Sequence, residues 1–373
     1  MSFELRKLED VCDILDHIRI PITSRDRKEG PYPYYGANGI QDYIDDYIFD
    51  DDLVLLAEDG GNFGSKEKPI AYRISGKTWV NNHAHVLKPK NIIDVDYLCY
   101  SLMYYDVSGL VNGATRQKLT QSEMRKINIR YRSLEKQRQI VFKIKLISNI
   151  ISSRKHQLCN LDLLVKSRFI EMFGDPIRND KELPIEPLGK HIELLGGFAF
   201  KSTGFAKEGI PVLRIGNINA GYFRPDNLPF WKYDKALDRY LLYPGDLAIS
   251  LTGTVGKDDY GNICKLGNDY PRYYLNQRNA KLVLKETVLP EFITALLKNK
   301  KVKDKIINTG VGVRQANISN KSILELEVPI PNLVGQNQFA SFVMQVDKSK
   351  LAIQQSLDEL ETLKKSLMQQ YFG

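Results

Sequence analysis

Two loops combine arginine and glutamine side chains of the kind that can read the edges of DNA bases. An arginine donates two parallel hydrogen bonds to guanine O6 and N7, and a glutamine fits adenine N6 and N7. The members of these loops are Arg116, Gln117 and Lys118 in the segment Asn112–Thr120 (NGATRQKLT), and Arg314 and Gln315 in the second half of the chain. Because the pair recurs, two other interpretations stay open: a phosphate clamp, and an arginine packed as a hinge against the helix that follows.

A second polar group combines amides with histidines, and it recurs in altered form. On a strand, His83 and His85 would share one face and could offer two metal ligands. No third ligand lies near them in the sequence, so a structural histidine pair is the favoured interpretation and no metal site is predicted. The candidate polar residues are Asn81, Asn82 and His83, their counterparts Asn276, Gln277 and Arg278, and the phosphate-binding types Lys201, Ser202 and Thr203.

No motif of a self-sufficient enzyme is present. A DNA methyltransferase would need an Asn/Asp-Pro-Pro-aromatic loop, and a restriction nuclease would need an acidic pair followed by Glu/Asp-x-Lys; neither pattern occurs. The glycine-rich segments 60–66 and 252–257 lack the Lys-Ser/Thr ending of a phosphate loop. The zinc-protease motif and the nucleophile elbow are also absent. We therefore predict no catalytic residues, no cofactor and no metal.

Composition limits the class of protein and its partners. The length of 373 residues predicts at least two domains, and the net charge of +8 weakly favours a polyanionic partner. Residues 1–132 carry 18 basic and 20 acidic side chains, so DNA binding there requires positive charge gathered on one face. No long uncharged apolar window and no apolar leader segment occur, so neither a membrane span nor a signal peptide is expected. Four cysteines without CxxC spacing fit the reduced thiols of a cytoplasmic protein.

The elements that must position these residues include two long helices. The segment 133–174 contains no proline, and its only glycine is its last residue. Its apolar residues recur mostly at spacings of three and four, which is the seam of a coiled coil and requires a partner helix. The segment 332–373 supplies one at a constant offset of 199 residues. Ser133 and Asn332 are predicted N-caps. The seams are Ile140, Ile144, Ile147, Ile151, Leu158, Leu161, Val165 and Phe169, and Phe339, Val343, Val346, Ile353, Leu357, Leu360, Leu367 and Tyr371.

The segments before the helices repeat as well. The Arg-Gln loops correspond, residues 80–83 correspond to 275–278, and Asp52–Leu55 is aligned with Asp246–Ile249. An internal repeat of this length decides the architecture. We predict two α/β (α+β) recognition domains, each followed by a long helix, with the helices packed as an antiparallel coiled coil of approximate two-fold symmetry. The predicted segments are a first recognition domain (1–132), a first helix (133–174), a second recognition domain (175–331) and a second helix (332–373).

Several of these segments together resemble the specificity subunit of type I restriction–modification systems, and the resemblance covers the whole chain. The run Leu161–Asp175 is similar to the end of that family's first conserved helix, and Ser133–Val141 is similar to its start. Residues 196–202 (GGFAFKS) and 213–218 (LRIGNI) resemble openings of its recognition domains. One departure is Leu333-Val334-Gly335 before Gln336, where the family usually has acidic residues.

The resemblance implies a non-catalytic protein that binds double-stranded DNA. Each globular domain would read one half of a bipartite site, and because the two domains differ the site would be asymmetric. The half-sites would be read in inverted orientation, about one helical turn (roughly 34 Å) apart. The family carries Asn-Gln-His where this chain has Asn81, Asn82 and His83, which implies a role in recognition and not in metal binding.

The resemblance also implies protein partners. Two methyltransferase subunits would dock on the long helices, and motor–nuclease subunits would complete the restriction complex. The candidate docking residues are Gln137, Gln139, Lys166, Phe173, Gln336, Gln338, Lys365 and Phe372.

Two other classes of protein remain open at this stage. A coiled-coil protein-interaction scaffold would show no salt-dependent affinity for DNA, whereas phosphate contacts make the logarithm of the affinity fall with the logarithm of the salt concentration. A self-sufficient DNA-modifying enzyme would bind its cofactor without a partner subunit.

Overall fold

Two four-stranded sheets occur in each half of the chain, and the computed structural model describes residues 3–65, 67–113, 117–310 and 315–373. The chain divides into unit 1, which is Met1–Lys155 with Gln355–Gly373, and unit 2, which is His156–Gln354. Each long helix therefore contributes one part to each unit. The four-segment division of the chain, which keeps both helices whole, stays a prediction.

Unit 1 contains twelve described strands, three short helices and the first part of a long helix. Its strands are β1 (Glu4–Lys7), β2 (Cys12–Ile14), β3 (Glu29–Gly36), β4 (Gly39–Ile44), β5 (Phe49–Asp50), β6 (Leu53–Ala57), β7 (Ala71–Ile74), β8 (Lys77–Val80), β9 (Ala84–Pro89), β10 (Val111–Asn112), β11 (Lys118–Leu119) and β12 (Asn128–Tyr131). Its helices are α1 (Leu8–Val11), α2 (Val95–Met103), α3 (Gln121–Met124) and α4 (Leu134–Phe173), which continues into unit 2.

Unit 2 likewise contains twelve described strands, three short helices and part of a long helix. Its strands are β13 (Ile185–Pro187), β14 (Ile192–Gly196), β15 (Ile210–Leu213), β16 (Phe230–Trp231), β17 (Leu241–Leu242), β18 (Leu247–Ser250), β19 (Thr252–Thr254), β20 (Ile263–Lys265), β21 (Tyr273–Leu275), β22 (Asn279–Leu284), β23 (Gln315–Asn317) and β24 (Glu327–Pro329). Its helices are α5 (Pro290–Lys298), α6 (Lys300–Ile307), α7 (Asn320–Leu324) and α8 (Leu333–Phe372), whose last part belongs to unit 1.

The sheets of the two units have the same topology. Unit 1 has the orders β2-β9-β6-β7 and β4-β3-β8-β5, and unit 2 has β14-β22-β18-β20 and β16-β15-β21-β17. In each unit one pair of strands is parallel, β3 with β8 and β15 with β21, and the other pairs in these sheets are antiparallel. The predicted internal repeat and the α/β recognition domains are confirmed.

The register of the central strand corrects one part of the repeat alignment. Val54 pairs with Leu87 in unit 1, and Leu247 pairs with Leu282 in unit 2. Val54 therefore corresponds to Leu247, whereas the sequence alignment sets it against Ala248. The error is one residue, and in a strand one residue exchanges the two faces. The burial is consistent with the structural pairing, because Val54 and Leu247 both face the larger core of their unit.

Each unit buries the long helices against one of its sheets. In unit 1, Val54 and Leu56 of β6 share a core with α2, with Ile140 and Ile144 of α4, and with Tyr371 of α8. In unit 2, the same position is filled by an aromatic cluster, which consists of Phe169, Phe173, Phe292 and Phe339 with ring centroids 5.3–5.7 Å apart. Because aromatic side chains bury the most apolar area, this cluster dominates the packing of unit 2.

The long helices pack antiparallel within each unit. In unit 1 the Lys155 Nζ lies 2.8 Å from Glu361 Oε1, and the Arg132 guanidinium donates to the Tyr371 carbonyl over 3.1 Å. In unit 2 the Lys350 Nζ lies 2.6 Å from Asp162 Oδ1. All sixteen predicted seam residues are buried or half-buried, which confirms the seam.

The ends of the long helices also match the prediction. The Ser133 hydroxyl accepts a hydrogen bond from the Lys136 amide, and the Asn332 side chain accepts one from the Gly335 amide. These are N-cap contacts, which satisfy amides that have no partner inside the helix. Gly174 ends the first helix with φ +74°, a conformation that favours glycine. No helix among the described residues combines the length and the apolar character needed to cross a bilayer.

Candidate nucleic-acid interface

The first Arg-Gln loop returns to the sheet through a short ladder. Residues 114–116, which include the candidate Arg116, lie outside the described residues. Gln117 and Lys118 are exposed, and Lys118 pairs with Asn112 across β10 and β11. The Leu119 amide donates to the Glu58 carbonyl over 2.7 Å, and the Lys118 ammonium lies 2.9 Å from Glu58 Oε1. The loop is therefore tied to the residue that follows strand β6.

The second Arg-Gln loop returns to the equivalent point in unit 2. Arg314 lies outside the described residues, and Gln315 is exposed on β23, where it pairs with Thr254. The Ile318 amide donates to the Leu251 carbonyl over 2.8 Å, and Leu251 follows β18 as Glu58 follows β6. The backbone attachment is the same in both units.

The Asn81 group forms a turn beside the first loop. Asn81 is buried, its side chain donates to Gln41 Oε1 over 3.0 Å, and it accepts from the His83 amide over 2.8 Å. Asn82 is exposed, and His83 Nδ1 lies 2.7 Å from Asp59 Oδ1. Asp59 also bridges to Lys118, so the structure brings the two predicted groups of unit 1 together. Asn81 shapes the turn, whereas Asn82 and His83 face outward.

The corresponding turn in unit 2 shows the same attachment. Gln277 and Arg278 are exposed and Asn276 is half-buried. The Leu251 amide donates to the Arg278 carbonyl over 2.9 Å, and this links the turn to the anchor of the second loop. A Cβ at Gly197 would lie 2.2 Å from the Asn276 carbonyl oxygen, so the close approach requires glycine there.

The third predicted group lies next to strand β16, in the sheet β16-β15-β21-β17 of unit 2. Lys201, Ser202 and Thr203 are exposed at a short 3-10 turn, Ser202–Gly204. A Cβ at Gly204 would lie 2.2 Å from the Trp231 ring, which holds this turn against strand β16. Phe198 bridges to Asn276, so the segment leading to Lys201 starts beside the polar turn.

His83 and His85 do not share a site, which corrects the prediction that they lie on one face. Strand β9 begins at Ala84, so His83 belongs to the turn and only His85 to the strand. His85 is buried, with Nδ1 at 2.6 Å from Asp16 Oδ2 and Nε2 at 2.8 Å from the Leu119 carbonyl. Sequence reasoning missed Asp16, because strand pairing brings it together with His85 across 69 residues and no motif marks it.

Asp16, Glu58 and His85 together offer three potential ligand atoms within 4.8 Å of one another. Arg19 and Lys118 already pair with Glu58, at 2.6 Å and 2.9 Å, and His85 pairs with Asp16. Burial alone would raise the pKa of the Asp16 carboxyl, but the hydrogen bond and the charge of His85, the Val86 amide and Arg19 together outweigh it, and the pKa is lowered. Burial is likewise outweighed at Glu58, whose pKa is lowered by Arg19 and Lys118. We interpret this set as an ionic cluster because its carboxylates are already neutralised by protein cations.

Gln137 and Gln336 join each globular part to its long helix. The Gln137 side chain accepts from the Asp94 amide and donates to the carbonyls of Ile92 and Arg132, at 2.7–3.1 Å. The Gln336 side chain makes the same three bonds at 2.8–3.1 Å, with Leu289, Thr287 and Pro331 as partners. Asp94 and Leu289 are the residues before α2 and α5, so each glutamine fixes a helix of the globular part to the start of a long helix.

This joint changes the prediction for the docking residues. Gln137 and Gln336 are fully buried and Phe173 is 4% exposed, so these side chains are held inside their units and do not face a partner. Phe372 is half-buried against Tyr97 and Tyr100. The candidates that remain exposed on the long helices are Gln139, Lys166, Gln338 and Lys365.

Comparison with known proteins agrees with this architecture. The family model described as "Type I restriction modification DNA specificity domain" matches residues 2–160 and 192–362, which together form most of the chain. The chain belongs to this family. The match occurs twice, in agreement with the repeated sheets and joints.

Two curated specificity subunits are similar in sequence. A putative type I restriction enzyme specificity subunit of Haemophilus influenzae is 30% identical over 270 residues, which cover 68% of this chain and 66% of that protein. The type I restriction enzyme MjaVIII specificity subunit of Methanocaldococcus jannaschii is 24% identical, with 98% of this chain and 91% of that protein covered.

Solved structures agree with the fold. The type I restriction–modification S subunit of M. genitalium superimposes with a TM-score of 0.59 at 15% identity, covering 100% of this chain and 96% of that one. A chain from a structure of type I restriction–modification complex assembly and conformational transition gives a TM-score of 0.56 at 15% identity, with coverage of 100% and 97%. At this identity the likeness supports the fold of the specificity-domain family.

Proposed function

We propose that this chain is the non-catalytic DNA-reading subunit of a type I restriction–modification complex, in which each unit reads one half of a bipartite, asymmetric site. The observation that carries the proposal is the duplication itself: one sheet topology and one loop attachment occur twice, with different exposed side chains. Unit 1 presents Asn82, Gln117 and Lys118, and unit 2 presents Gln277, Arg278 and Gln315. To read two different half-sites, the two units need different exposed side chains on the same arrangement of sheets and loops.

The exposed residues suit DNA by their chemistry. Amide and guanidinium groups can bond base edges in the major groove, and the ammonium groups of Lys118 and Lys201 can neutralise phosphates. Arg116 and Arg314, which directly precede Gln117 and Gln315 in the sequence, are proposed to contact the DNA together with them. Lys201, Ser202 and Thr203 are proposed as phosphate contacts beside the second loop.

The long helices are proposed to set the distance between the half-sites and to dock two methyltransferase subunits. The exposed positions Gln139, Lys166, Gln338 and Lys365 would take part in this docking. Motor–nuclease subunits would complete the restriction complex in the cytoplasm.

The test is a selection from random duplexes by the chain together with its methyltransferase subunits, at moderate salt. The expected result is enrichment of two different short sequences separated by a fixed spacer. The selected duplex should bind more tightly than a scrambled one, and the logarithm of both affinities should fall linearly with the logarithm of the salt concentration. Equal binding of selected and scrambled duplexes would contradict the proposal. The absence of any salt-dependent binding would favour a protein-interaction scaffold instead.

A further inference from the structure

The ionic cluster of unit 1 consists of Asp16, Arg19, Glu58 and His85, and it contacts the chain that returns from the first loop. These four side chains are 1–12% exposed. The Arg19 guanidinium donates to Glu58 Oε2 over 2.6 Å and lies 3.5 Å from Asp16 Oδ2. His85 Nδ1 lies 2.6 Å from Asp16 Oδ2 and 3.7 Å from Glu58 Oε2. Every member of the ionic cluster therefore contacts two others.

The ionic cluster holds the chain that returns from the first loop at three residues, Lys118, Leu119 and Gln121. Glu58 pairs with the Lys118 ammonium, and the Glu58 carbonyl accepts from the Leu119 amide. His85 Nε2 donates to the Leu119 carbonyl over 2.8 Å, since a carbonyl can only accept. Beyond Thr120, the Gln121 side chain donates to Asp16 Oδ2 over 3.1 Å. Buried charged groups thus hold the chain where it returns from the loop to the sheet.

The positions of unit 2 that correspond to Asp16, Glu58 and His85 carry no charge. According to the strand pairing, His85 corresponds to Ala280 and Glu58 corresponds to Leu251. Gly196, which pairs with Ala280, corresponds to Asp16, which contacts His85. The bridge from Asp59 to Lys118 has its counterpart in the pairing of Thr252 with Asn317, where the Thr252 hydroxyl donates to Asn317 Oδ1 over 2.8 Å. The second loop is therefore anchored by backbone and neutral hydrogen bonds.

A buried ionic network is a costly way to hold a sheet, because several charges lose their hydration. Unit 2 builds the same sheet without one, so the sheet itself does not require the ionic cluster. Its side-chain contacts outside the cluster go to the loop return at Lys118, Leu119 and Gln121, and to strand β9 at the Ala84 carbonyl and the Val86 amide. The cluster also tolerates few alternative arrangements, since a buried charge left without its partner is strongly destabilising. An ionic cluster with these features would hold a loop in one orientation.

We propose that Asp16, Arg19, Glu58 and His85 are positioning residues for the first loop, and that they control base discrimination at the first half-site alone. This inference rests on the proposed function, in which the first loop reads DNA. The residues act through Lys118–Gln121 and do not themselves contact bases, because they are buried.

The experiment compares Glu58→Gln and His85→Gln with the unchanged chain, each assembled with the methyltransferase subunits. Binding is measured on the selected duplex and on duplexes with one base pair changed in either half-site. Both variants are expected to lower the discrimination ratio at the first half-site by about tenfold, which is within the range that one specific base contact supplies. The ratio at the second half-site is expected to stay unchanged.

Two further variants separate positioning from folding. Asp52→Asn removes a carboxylate of unit 1 that pairs with Arg73 and does not contact the loop, so its discrimination should remain normal at both half-sites. Gln121→Ala removes one outer contact of the ionic cluster and should reduce discrimination at the first half-site by a smaller factor. If Glu58→Gln or His85→Gln fails to fold, Gln121→Ala carries the test.

The outcomes distinguish the inference from the function on which it rests. No discrimination by the unchanged chain at either half-site contradicts the proposed function. Normal discrimination by the unchanged chain, with equal losses at both half-sites or with none in Glu58→Gln, His85→Gln and Gln121→Ala, overturns the positioning role while the proposed function stands.

Discussion

The two units hold equivalent loops by different chemistry. In unit 1 the loop return meets a buried ionic cluster around His85, whereas in unit 2 the same backbone bond is supported by the neutral pair Thr252 and Asn317. The backbone bonds themselves match, at 2.7 Å from Leu119 to Glu58 and 2.8 Å from Ile318 to Leu251. The two units therefore share their sheets and the backbone attachment of the loop, but differ in the side chains that hold the loop.

The joint between each globular part and its long helix, in contrast, is built in the same way in both units. Gln137 and Gln336 each make three hydrogen bonds to backbone groups, and the partners occupy matching positions in the two units. Such a contact does not depend on the partner's side chain, so the surrounding sequence can change without loss. The two units therefore share the connection to their long helices and differ at their exposed loops.

Matched substitutions in the two units should differ most in their effect on the free energy of unfolding where the long helices pack against a sheet. Phe169→Ala should lower the free energy of unfolding of unit 2 by about 3–5 kcal/mol, since it opens a cavity between Phe173, Phe292 and Phe339. The matched change in unit 1 is Met368→Ala, at a half-buried position, and should cost about half as much. Hydrogen exchange of α5 and α2 amides in denaturant measures the two effects separately. Equal costs would show that the aromatic cluster adds nothing to unit 2.

The two joints should respond alike. Gln137→Ala and Gln336→Ala each remove a fully buried side chain and leave three backbone groups without their side-chain partner, and each should cost about 2–4 kcal/mol in its own unit. The exposed neighbours serve as controls, because Gln139→Ala and Gln338→Ala should change stability by about 0.5 kcal/mol or less. Unfolding of each unit can be followed by peptide-resolved proteolysis. A cost at one joint only would break the equivalence of the two connections.

Acid should loosen the first loop before the second. Because the pKa values of Asp16 and Glu58 are lowered in the folded state, their stabilising contribution is present at neutral pH and is lost as pH falls through those values. Ordinary carboxyl pKa values are near 4, so the loss requires a pH below about 4. Hydrogen exchange of residues 117–121, corrected for the intrinsic rate, should then rise relative to residues 315–319. A parallel rise in both segments would argue against the ionic anchor.

The smallest effects are expected at the exposed ion pairs along the long helices. Lys155→Ala in unit 1 and Asp162→Ala in unit 2 each remove one charge of a solvent-exposed pair. Each change should cost about 0–1 kcal/mol, because water and salt screen such pairs. Thermal unfolding at low and high salt measures this cost. A loss of several kcal/mol would mean that the helices depend on charge and not on their apolar seam.

Much of the architecture could be predicted from the sequence because its signals are local. The seam of Ile140, Ile144 and Phe169 follows from helical periodicity, and Ser133 and Asn332 mark the helix starts by their capping chemistry. The repeat then predicts the order of domains. In contrast, the strand alignment at Asp52 was wrong by one residue, because a short apolar run carries no information about which face is buried.

The chemistry of the site could be predicted only in part. The exposed Gln117, Gln277 and Arg278 were found from side-chain type, but the ionic cluster was not, because strand pairing assembles it from distant residues. Gln137 was assigned to a partner surface from its place in the repeat, whereas its burial is set by tertiary contacts with Asp94 and Ile92.

An exchange of the first recognition domain is the measurement that tests the account most directly. Residues 1–132 are replaced by the corresponding domain of a specificity subunit that selects a different target, and the target of the hybrid is determined by selection from random duplexes. The account predicts that one half of the selected site changes while the other half and its spacer are retained. A change in both halves, or in neither, would contradict the claim that each unit reads its own half-site.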